Sequence, residues 1–435
     1  MLKYYACMTN PMLNLKGLVC CKYIRRAAVL IKRVQVTQLE LGMFICDLNC
    51  NWIEHNFLFS KFKIDNPKDI QKIQSMGIKE VSIDTSKGLD VLSAPSAAQV
   101  KKDMDAKFLK HIEELSEPLR EVPLLDEIKT AKLIRAEAKE TIKNVLTDVR
   151  LGNQISIESV QKIVPRMTDS IFRNKDALLG LSRIKSMDEY LFFHSVSACV
   201  LMVSLSHSLG LTRQEMDDIG MGALLHDIGK VKVPPEILNK PGKLTDDEFG
   251  KMKDHVTYGY EILRKIPNIP ETAILVTHQH HERFDGTGYP NKLKGDELSI
   301  YGQMAAIVDV YDALTSDRCY HKGMQSTDAL RKIFEWSQFH FNPIVVQHFI
   351  RCVGVYPIGT LVRLDDQRLA VVIGSGKRSL LHPTVRVILN IKNRAFLRPL
   401  DIDLSDTKTI CKIISWESPA DYDINPFEYT DLLRK

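Results

Sequence analysis

The sequence lacks the features that mark membrane-spanning, secreted or nucleic-acid-binding chains. Its 435 residues contain no apolar run that approaches the roughly 18 residues needed to span a bilayer, and its first residues do not follow the order of a signal peptide. The nine cysteines include no C-x-x-C pair, so we interpret them as reduced thiols. The net charge of +5 is small and dispersed, which argues against a partner that is a nucleic-acid polymer. We therefore expect a cytoplasmic protein without a membrane span.

What the sequence does contain indicates several structural units, because the chain is too long for one ordinary core. Strand formers and alternating residues precede a stretch rich in Ala, Lys, Glu and Leu, which is typical of a linker helix or a short coiled coil. A long helical pattern and a final β pattern follow. The predicted fold class is multidomain and mainly α, with five segments: an extension at 1–33, a small β-rich regulatory module at 34–92, a helical linker at 93–154, an all-helical domain at 155–352, and a β appendage with a tail at 353–435.

The chain is organised around the segment Leu224–Lys230. Apolar residues recur at helical spacing from Met221 to Ile228, so one helix face enters the core and carries His226 and Asp227 inward. We expect Gly229 to end this helix in the left-handed conformation. A buried imidazole beside a carboxylate is unfavourable unless both are satisfied. A divalent metal would satisfy them.

Further metal-ligand candidates lie on both sides of this segment, and seven of the thirteen histidines fall between His194 and His281. His194 lies on an apolar helix, where a lone histidine is more often a hydrogen-bonded core residue than a ligand. Of His278, His280 and His281 we expect at least two to be ligands, with His278 the bystander.

Asp309 lies inside an apolar helical run, with Asp312 on the same helix face. A carboxylate in that position requires either a salt bridge or a metal. The surplus of histidines upstream favours the metal.

In this order and at this spacing, these residues resemble the HD-GYP branch of the HD phosphohydrolase superfamily. The resemblance covers nearly all of 155–352, so this domain is expected to be an HD-type catalytic domain. Residues 41–48 and 57–59 resemble the small N-terminal domain of unknown function that often precedes HD-GYP domains in bacteria. The motif consists of His194, His226-Asp227-Ile228-Gly229-Lys230, His255, His280-His281-Glu282, Gly288-Tyr289-Pro290 and Asp309 through Ser316.

The resemblance implies a metal-dependent phosphodiesterase that hydrolyses the bacterial second messenger cyclic di-GMP to linear pGpG, GMP or both. A hydroxide that bridges two divalent metals would attack phosphorus. Fe or Mn suits the ligand set best, with Zn or Ni as alternatives. The ligands carried over are His194, His226, Asp227, His255, His280, His281 and Asp309, with Asp227 placed to bridge the two ions.

The resemblance also implies substrate contacts. Lys230 and Asp227 are the two expected catalytic residues. Lys230 would contact phosphate, Arg318 would contact phosphate or guanine, and Asp285, Gly288 and Tyr289 would shape the pocket. Two departures from the family pattern bear on the number of metals and on substrate binding. Tyr190 stands where some members carry a glutamate, which favours two metals over three. Cys319 and His321 replace the usual proline and basic residue, which could weaken the grip on substrate.

Two other functions remain open from the sequence. The chain could be a catalytically weak receptor or adaptor for the nucleotide, or it could hydrolyse another cyclic dinucleotide. The surface around Gly288-Tyr289-Pro290 could bind a diguanylate cyclase or another signalling protein, and the chain could form a homodimer.

Overall fold

The computed structural model describes residues 31–50, 61–113, 122–184, 190–240, 242–316, 323–376 and 379–433. Within these ranges the chain forms a small sheet module, two connecting helices, a helical domain and a C-terminal sheet. This order confirms the predicted fold class. The predicted extension at 1–33 lies almost entirely outside the described residues, and the exact segment boundaries stay a prediction.

The N-terminal module is a four-stranded antiparallel sheet with one helix packed on it. In the spatial order β1-β4-β2-β3, its strands are β1 (Ile31–Gln35), β4 (Glu80–Asp84), β2 (Phe44–Asp47) and β3 (Phe62–Lys63). Helix α1 (Pro67–Ser75) begins where the Asn66 side chain accepts a backbone N–H. Ile73 of α1 is buried in one cluster with Ile45 and Ile83. The sequence did not predict α1, because nine residues are too few for helical periodicity to stand out.

Two helices, α2 (Ala97–Glu113) and α3 (Leu124–Leu151), connect this module to the helical domain. Helix α3 ends at a glycine, Gly152, with φ of 71°. The apolar stripe of α3, which includes Ile134 and Ile142, lies in the main core of this same chain. The stripe therefore packs against the helical domain and does not act as one half of a coiled coil.

The helical domain contains ten α-helices within the described residues, and α5 lies among α4, α6, α11 and α13. The stretch Leu191–Ser208 of α5 is apolar and long enough to cross a membrane, with mean hydropathy 1.4, but 72% of it is buried inside the fold. This corrects the expectation that no such run exists, and core packing accounts for it. The helices are α4 (Glu158–Ser182), α5 (Tyr190–Ser208), α6 (Arg213–Leu225), α7 (Pro235–Leu238), α8 (Asp246–Lys253), α9 (His255–Leu263), α10 (Glu271–Gln279), α11 (Ile300–Thr315), α12 (Ser326–Trp336) and α13 (Pro343–Val353).

The C-terminal appendage is a five-stranded antiparallel sheet in the order β8-β7-β6-β5-β9. Polar contacts attach it to α4: Ser375 Oγ donates to Asp176 at 3.0 Å, and Arg183 donates to the carbonyl of Pro357 at 3.1 Å. The presence of this sheet agrees with the β appendage of the predicted fold class. The strands are β5 (Leu361–Leu364), β6 (Arg368–Gly374), β7 (Thr384–Asn390), β8 (Ala395–Asp403) and β9 (Ile413–Trp416).

Candidate metal centre

The His226-Asp227 pair lies in a tight turn between two helical segments. Helix α6 ends at Leu225, and a 3-10 turn begins directly after Asp227. The prediction that Gly229 ends the helix in a left-handed conformation is wrong, because Gly229 lies inside the 3-10 turn and its φ is not positive. A glycine is needed there for another reason: a Cβ would lie 1.9 Å from the backbone oxygen of His255. The missing side chain lets α9 pack against the turn and bring His255 with it.

All seven predicted ligands converge at this turn from five parts of the helical domain. The turn supplies two of them, and α5, the start of α9, the end of α10 and α11 supply the others. Five of the seven side chains are buried, while the remaining two line a cleft that opens from the centre. The buried five are His194, His226, Asp227, His255 and His280, and the two at the cleft are His281 and Asp309.

One half of the centre is formed by His194, His226 and one oxygen each of Asp227 and Asp309. His194 Nε2 lies 3.1 Å from His226 Nε2 and 3.2 Å from Asp309 Oδ1. Asp227 Oδ2 lies 3.5 Å from His194 Nε2 and 3.4 Å from His226 Nε2. Two imidazole nitrogens and two carboxylate oxygens thus face one point.

The other half is formed by His255, His280 and His281, whose ligand atoms lie within 4.8 Å of one another. Asp227 Oδ1 lies 3.5 Å from His255 Nε2 and 4.0 Å from His280 Nε2. Asp309 Oδ2 lies 3.7 Å from His281 Nδ1. Each of the two carboxylates therefore places one oxygen in each half, as the bridging role predicted for Asp227 requires.

Three of the rings are oriented by their own backbone. In His226, His255 and His280, Nδ1 lies 2.7 Å from the carbonyl oxygen three residues earlier. A carbonyl only accepts hydrogen bonds, so each Nδ1 carries the proton and each Nε2 turns a lone pair into the centre. The Nε2 atoms of His255 and His280 face each other at 3.3 Å, an arrangement that a cation would relieve.

His194 is oriented differently, by a carboxylate. Its Nδ1 lies 2.7 Å from Oδ2 of the buried Asp312, which also accepts a hydrogen bond from Ser316 at 3.3 Å. Such carboxylate–histidine pairs fix the tautomer and raise the basicity of a metal-ligating ring. The sequence placed Asp312 on the same helix face as Asp309 but did not assign it this role.

Burial keeps the second group of rings neutral, which is the form that binds metals. It lowers the pKa of His255 to about 4 and that of His281 to about 3. It also holds the pKa of His280 well below the usual range, helped by the neighbouring His281. These imidazoles therefore do not need to lose a proton at neutral pH before they bind an ion.

The other charged groups of the centre stabilise one another. Burial opposes the charged form of His194, but hydrogen bonds with Asp309 and Asp312 raise its pKa to about 9. Burial likewise opposes ionisation of Asp227, but Lys230 and the neighbouring imidazoles hold the pKa of this carboxyl well below its usual range. The carboxylates of Asp227 and Asp309 are thus ionised at neutral pH.

These residues fit a divalent metal centre. Asp227 Oδ1 is buried and accepts no hydrogen bond from the described part of the chain. An ionised oxygen in that state is unfavourable unless a cation approaches it. Five imidazoles and two carboxylates form a mixed nitrogen and oxygen set that suits transition metals better than Mg or Ca.

The centre opens into a cleft of about 770 Å³, within the range of small-molecule sites. Its lining includes the Tyr289 ring, which stacks on His281 with centroids 4.8 Å apart. Gly288 permits this turn to close, because a Cβ there would lie 2.4 Å from the backbone nitrogen of Arg283. Glu282 supports the same turn by accepting a backbone N–H from Asn291 at 2.6 Å.

The other predicted substrate contacts have distinct positions. Lys230 Nζ donates to Asp227 Oδ2 at 2.6 Å, so its charge lies at the metal centre. The Asp285 carboxylate accepts hydrogen bonds from Thr287 Oγ1 at 2.6 Å and from His340 Nδ1 at 3.2 Å, contacts that hold the loop in shape. Arg318, and with it Cys319 and His321, lies outside the described residues, and nothing is described of the Tyr190 side chain.

The remaining histidines of this region make other contacts. His278, the expected bystander, stacks on Tyr260 with centroids 4.3 Å apart. His207 packs edge-on against Phe172. His278 lies inside α10, whereas His280 and His281 follow the end of that helix. This difference in position separates His278 from the other two histidines.

Comparison with known protein families identifies both main parts of the chain. A model described as HD domain matches residues 167–345. Another, described as a domain of unknown function (DUF3391), matches residues 31–160.

Curated relatives extend this picture. A cyclic di-GMP phosphodiesterase of Pseudomonas aeruginosa is 39% identical over 396 residues, which cover 90% of this chain and 93% of the relative. A 3'3'-cGAMP-specific phosphodiesterase of Vibrio cholerae is 41% identical over 144 residues, 33% of this chain and 28% of the relative. Among solved structures, an HDG"Y"P protein of Bdellovibrio bacteriovorus matches with a TM-score of 0.44 and 17% identity, covering 73% of this chain and 98% of that one.

Proposed function

The chain belongs to the HD-GYP family of HD-domain phosphodiesterases, and on that basis we propose that it hydrolyses cyclic di-GMP at a centre of two divalent metals. The observation that carries this proposal is the pair of facing ligand groups with a buried oxygen of Asp227 between them. Linear pGpG, GMP or both are the proposed products.

The two halves of the centre would each hold one ion. His194, His226 and Asp309 would hold the first and His255, His280 and His281 the second, with Asp227 shared between them. Fe or Mn is proposed, with Zn or Ni as alternatives. When bound, the metals would activate a water molecule and neutralise charge that develops on the phosphate.

The chain's own residues would orient the substrate around this centre. Once a metal competes for Asp227, the Lys230 ammonium, 2.6 Å from that carboxylate, can turn to a phosphate oxygen. The stacked pair of Tyr289 and His281 would narrow the cleft beside the reacting phosphate. Asp285 and Gly288 would act by holding the loop that carries Tyr289. Arg318 remains a proposed contact to phosphate or guanine on the strength of the family resemblance alone.

The choice of cyclic di-GMP over other cyclic dinucleotides follows from the extent of similarity. The Pseudomonas aeruginosa phosphodiesterase is similar to the N-terminal module as well as to the helical domain, since the match covers 90% of this chain. The relative specific for 3'3'-cGAMP matches only 33% of the chain. A shared metal centre cleaves a phosphodiester without reading the bases, so 3'3'-cGAMP is the second candidate substrate.

Three finer expectations remain proposals that do not depend on the chemistry. The five cysteines in the described residues form no disulfide with one another, which agrees with the proposed cytoplasmic location. The surface of Gly288-Tyr289-Pro290 is the proposed docking point for a diguanylate cyclase or another signalling protein. A homodimer is proposed as well. Light scattering of the purified protein, with and without a cyclase, tests the last two.

Hydrolysis by anaerobically purified protein, loaded with Fe or Mn, tests the function. The panel should contain cyclic di-GMP and 3'3'-cGAMP, with products followed over time and metals counted per chain. We expect cyclic di-GMP turnover with about two ions per chain, lost in Asp227→Ala. Asp218→Ala, which removes a carboxylate of α6 outside the centre, is the matched control. Tight nucleotide binding without turnover in the loaded protein would contradict the proposal and favour a receptor.

A further inference from the structure

The cleft above the metal centre has a wall that comes from the N-terminal module. The same cavity is lined by His281 of the centre and by Lys68, Gln71, Lys72 and Ser75 of α1. These four positions follow the spacing i, i+3, i+4, i+7, so they form one face of the helix. Ile73, on another face, is buried in the module's own core. Helix α1 therefore turns its polar face into the cleft.

Specific contacts hold the module in this position, and they converge on the loop that carries Tyr289. The turn after α1 contains Gly77, with φ of +70°, where a Cβ would lie 2.5 Å from the Thr287 side chain. Next to it, Arg283 donates to the backbone oxygen of Met76 at 3.4 Å. The end of α1 thus fits directly against the loop before Gly288.

Two ion pairs join the module to the helical domain at separate points. Lys72 Nζ lies 3.2 Å from Asp246 Oδ2 at the start of α8. Arg33 Nη1 lies 2.7 Å from Glu335 Oε1 on α12, with only 15% and 16% of the two side chains exposed. With contacts on α8, on α12 and on the loop, the module is held in place, and α1 lies over the cleft.

A cyclic dinucleotide carries two phosphodiesters, each with one negative charge. Only one of them can lie at the metals during a cleavage step, so the other must enter the rest of the cleft. Moving that charge out of bulk water is unfavourable unless a cation meets it. Lys68 and Lys72 lie one helical turn apart on the cleft wall, close enough for both ammonium groups to approach one phosphate.

We propose that α1 completes the substrate site, and that Lys68 and Lys72 bind the phosphate that is not being cleaved. This inference rests on the proposed function for the identity of the substrate. It assigns the module that resembles a domain of unknown function a direct part in substrate recognition. Asp246 then holds Lys72 until the phosphate arrives and replaces it as the partner.

The test compares full-length, metal-loaded variants. Loss of one charge-assisted hydrogen bond should raise KM about tenfold, so Lys68→Gln with Lys72→Gln should raise the KM for cyclic di-GMP between tenfold and a hundredfold with kcat nearly unchanged. Lys79→Gln is the matched control, because Lys79 is an exposed lysine of the same module that does not line the cleft. Hydrolysis of bis(p-nitrophenyl) phosphate, which has one phosphate, should not change.

Asp246→Asn separates substrate binding from a merely structural ion pair. If Lys72 binds phosphate, this change leaves KM equal or lower, because the cation loses a competitor. If Asp246→Asn raises KM as much as Lys72→Gln does, the pair only fastens the module and the inference is wrong.

Calorimetric binding of cyclic di-GMP to metal-stripped protein distinguishes this inference from the proposed function. If wild type binds without cleaving when loaded, and the double lysine variant binds at least tenfold more weakly, the inference stands and the proposed function fails. If the double variant binds as wild type does, the inference fails whatever the turnover. If wild type neither binds nor cleaves the nucleotide, both fail.

Discussion

Asp312 provides the sharpest test of how the metal centre is built, because it is not one of the seven expected ligands and contacts the centre through His194. Asp312→Asn keeps the shape of the side chain but removes the charge that faces Nδ1 at 2.7 Å. A hydrogen bond to a charged acceptor contributes about 1.5–3 kcal/mol, against about 1 kcal/mol for a neutral one. The expected loss of about 1.5 kcal/mol corresponds to roughly tenfold weaker binding at the half that contains His194.

The loss would grow if the new amide turns its NH₂ group toward the ring. The proton would then move to Nε2, which would remove the lone pair that faces the centre. Mutation of a group that hydrogen-bonds a metal ligand, as Asp312 does, typically changes metal affinity by about 10- to 100-fold.

Competition with a coloured chelator, done separately for the first and the second equivalent of metal, measures this effect. Asp176→Asn is the matched control, since it neutralises a buried carboxylate whose partners are Lys175 and Ser375. We expect one of the two equivalents to weaken in Asp312→Asn and neither to weaken in the control. Wild-type affinity for both equivalents in Asp312→Asn would refute the account of His194 given above.

Three further predictions follow from the backbone and the loop. Gly77→Ala should raise the KM for cyclic di-GMP, because the new Cβ would meet the Thr287 side chain. Gly152 has a similar φ but open space around it, so Gly152→Ala should lower the free energy of unfolding by only about 1 kcal/mol. Steady-state kinetics and urea unfolding separate the two effects. Gly229→Ala should lower the metal content, measured by elemental analysis, and should lower the free energy of unfolding by about 1–3 kcal/mol, measured by urea unfolding. A variant that holds metal normally would contradict the packing argument. Burial opposes ionisation of Asp285, but its hydrogen bonds lower the pKa to about 2, so the carboxylate stabilises the fold above its unfolded pKa. The difference in unfolding free energy between wild type and Asp285→Asn, about 2 kcal/mol at neutral pH, should shrink as the pH falls from about 4 to 2, and a difference independent of pH would contradict it.

Part of the ligand set could be predicted from the local sequence. His226 with Asp227, and Asp309 in its apolar helix, conflict with their surroundings unless a partner compensates them. The resemblance to the HD-GYP family, and no local pattern, assigns His194 and His255 as ligands. The structure brings all seven candidates together. The structure also shows that the prediction of a left-handed helix end at Gly229 is wrong, because this glycine is needed for the close packing of α9.

What the sequence could not supply are the contacts between distant segments. Nothing in the local pattern of Gly77 indicates that it meets Thr287, because the two lie in different structural units. Which nitrogen of His194 meets Asp312 depends on how α5 packs against α11. The side of α1 that faces the cleft likewise became visible only once the module was seen beside α8 and α12.

The backbone carbonyls behind His226, His255 and His280 have a consequence for how such a centre persists as sequences diverge. Each ring is oriented by the carbonyl oxygen three residues earlier, so one short segment of chain contains both the ring and the atom that orients it. Loops between these pieces can lengthen, shorten or exchange without disturbing the direction of the nitrogen lone pairs. The orientation of His194 depends instead on Asp312, which lies on another helix, α11. Substitutions that shift α5 against α11 should therefore be the first to damage this centre over evolutionary time.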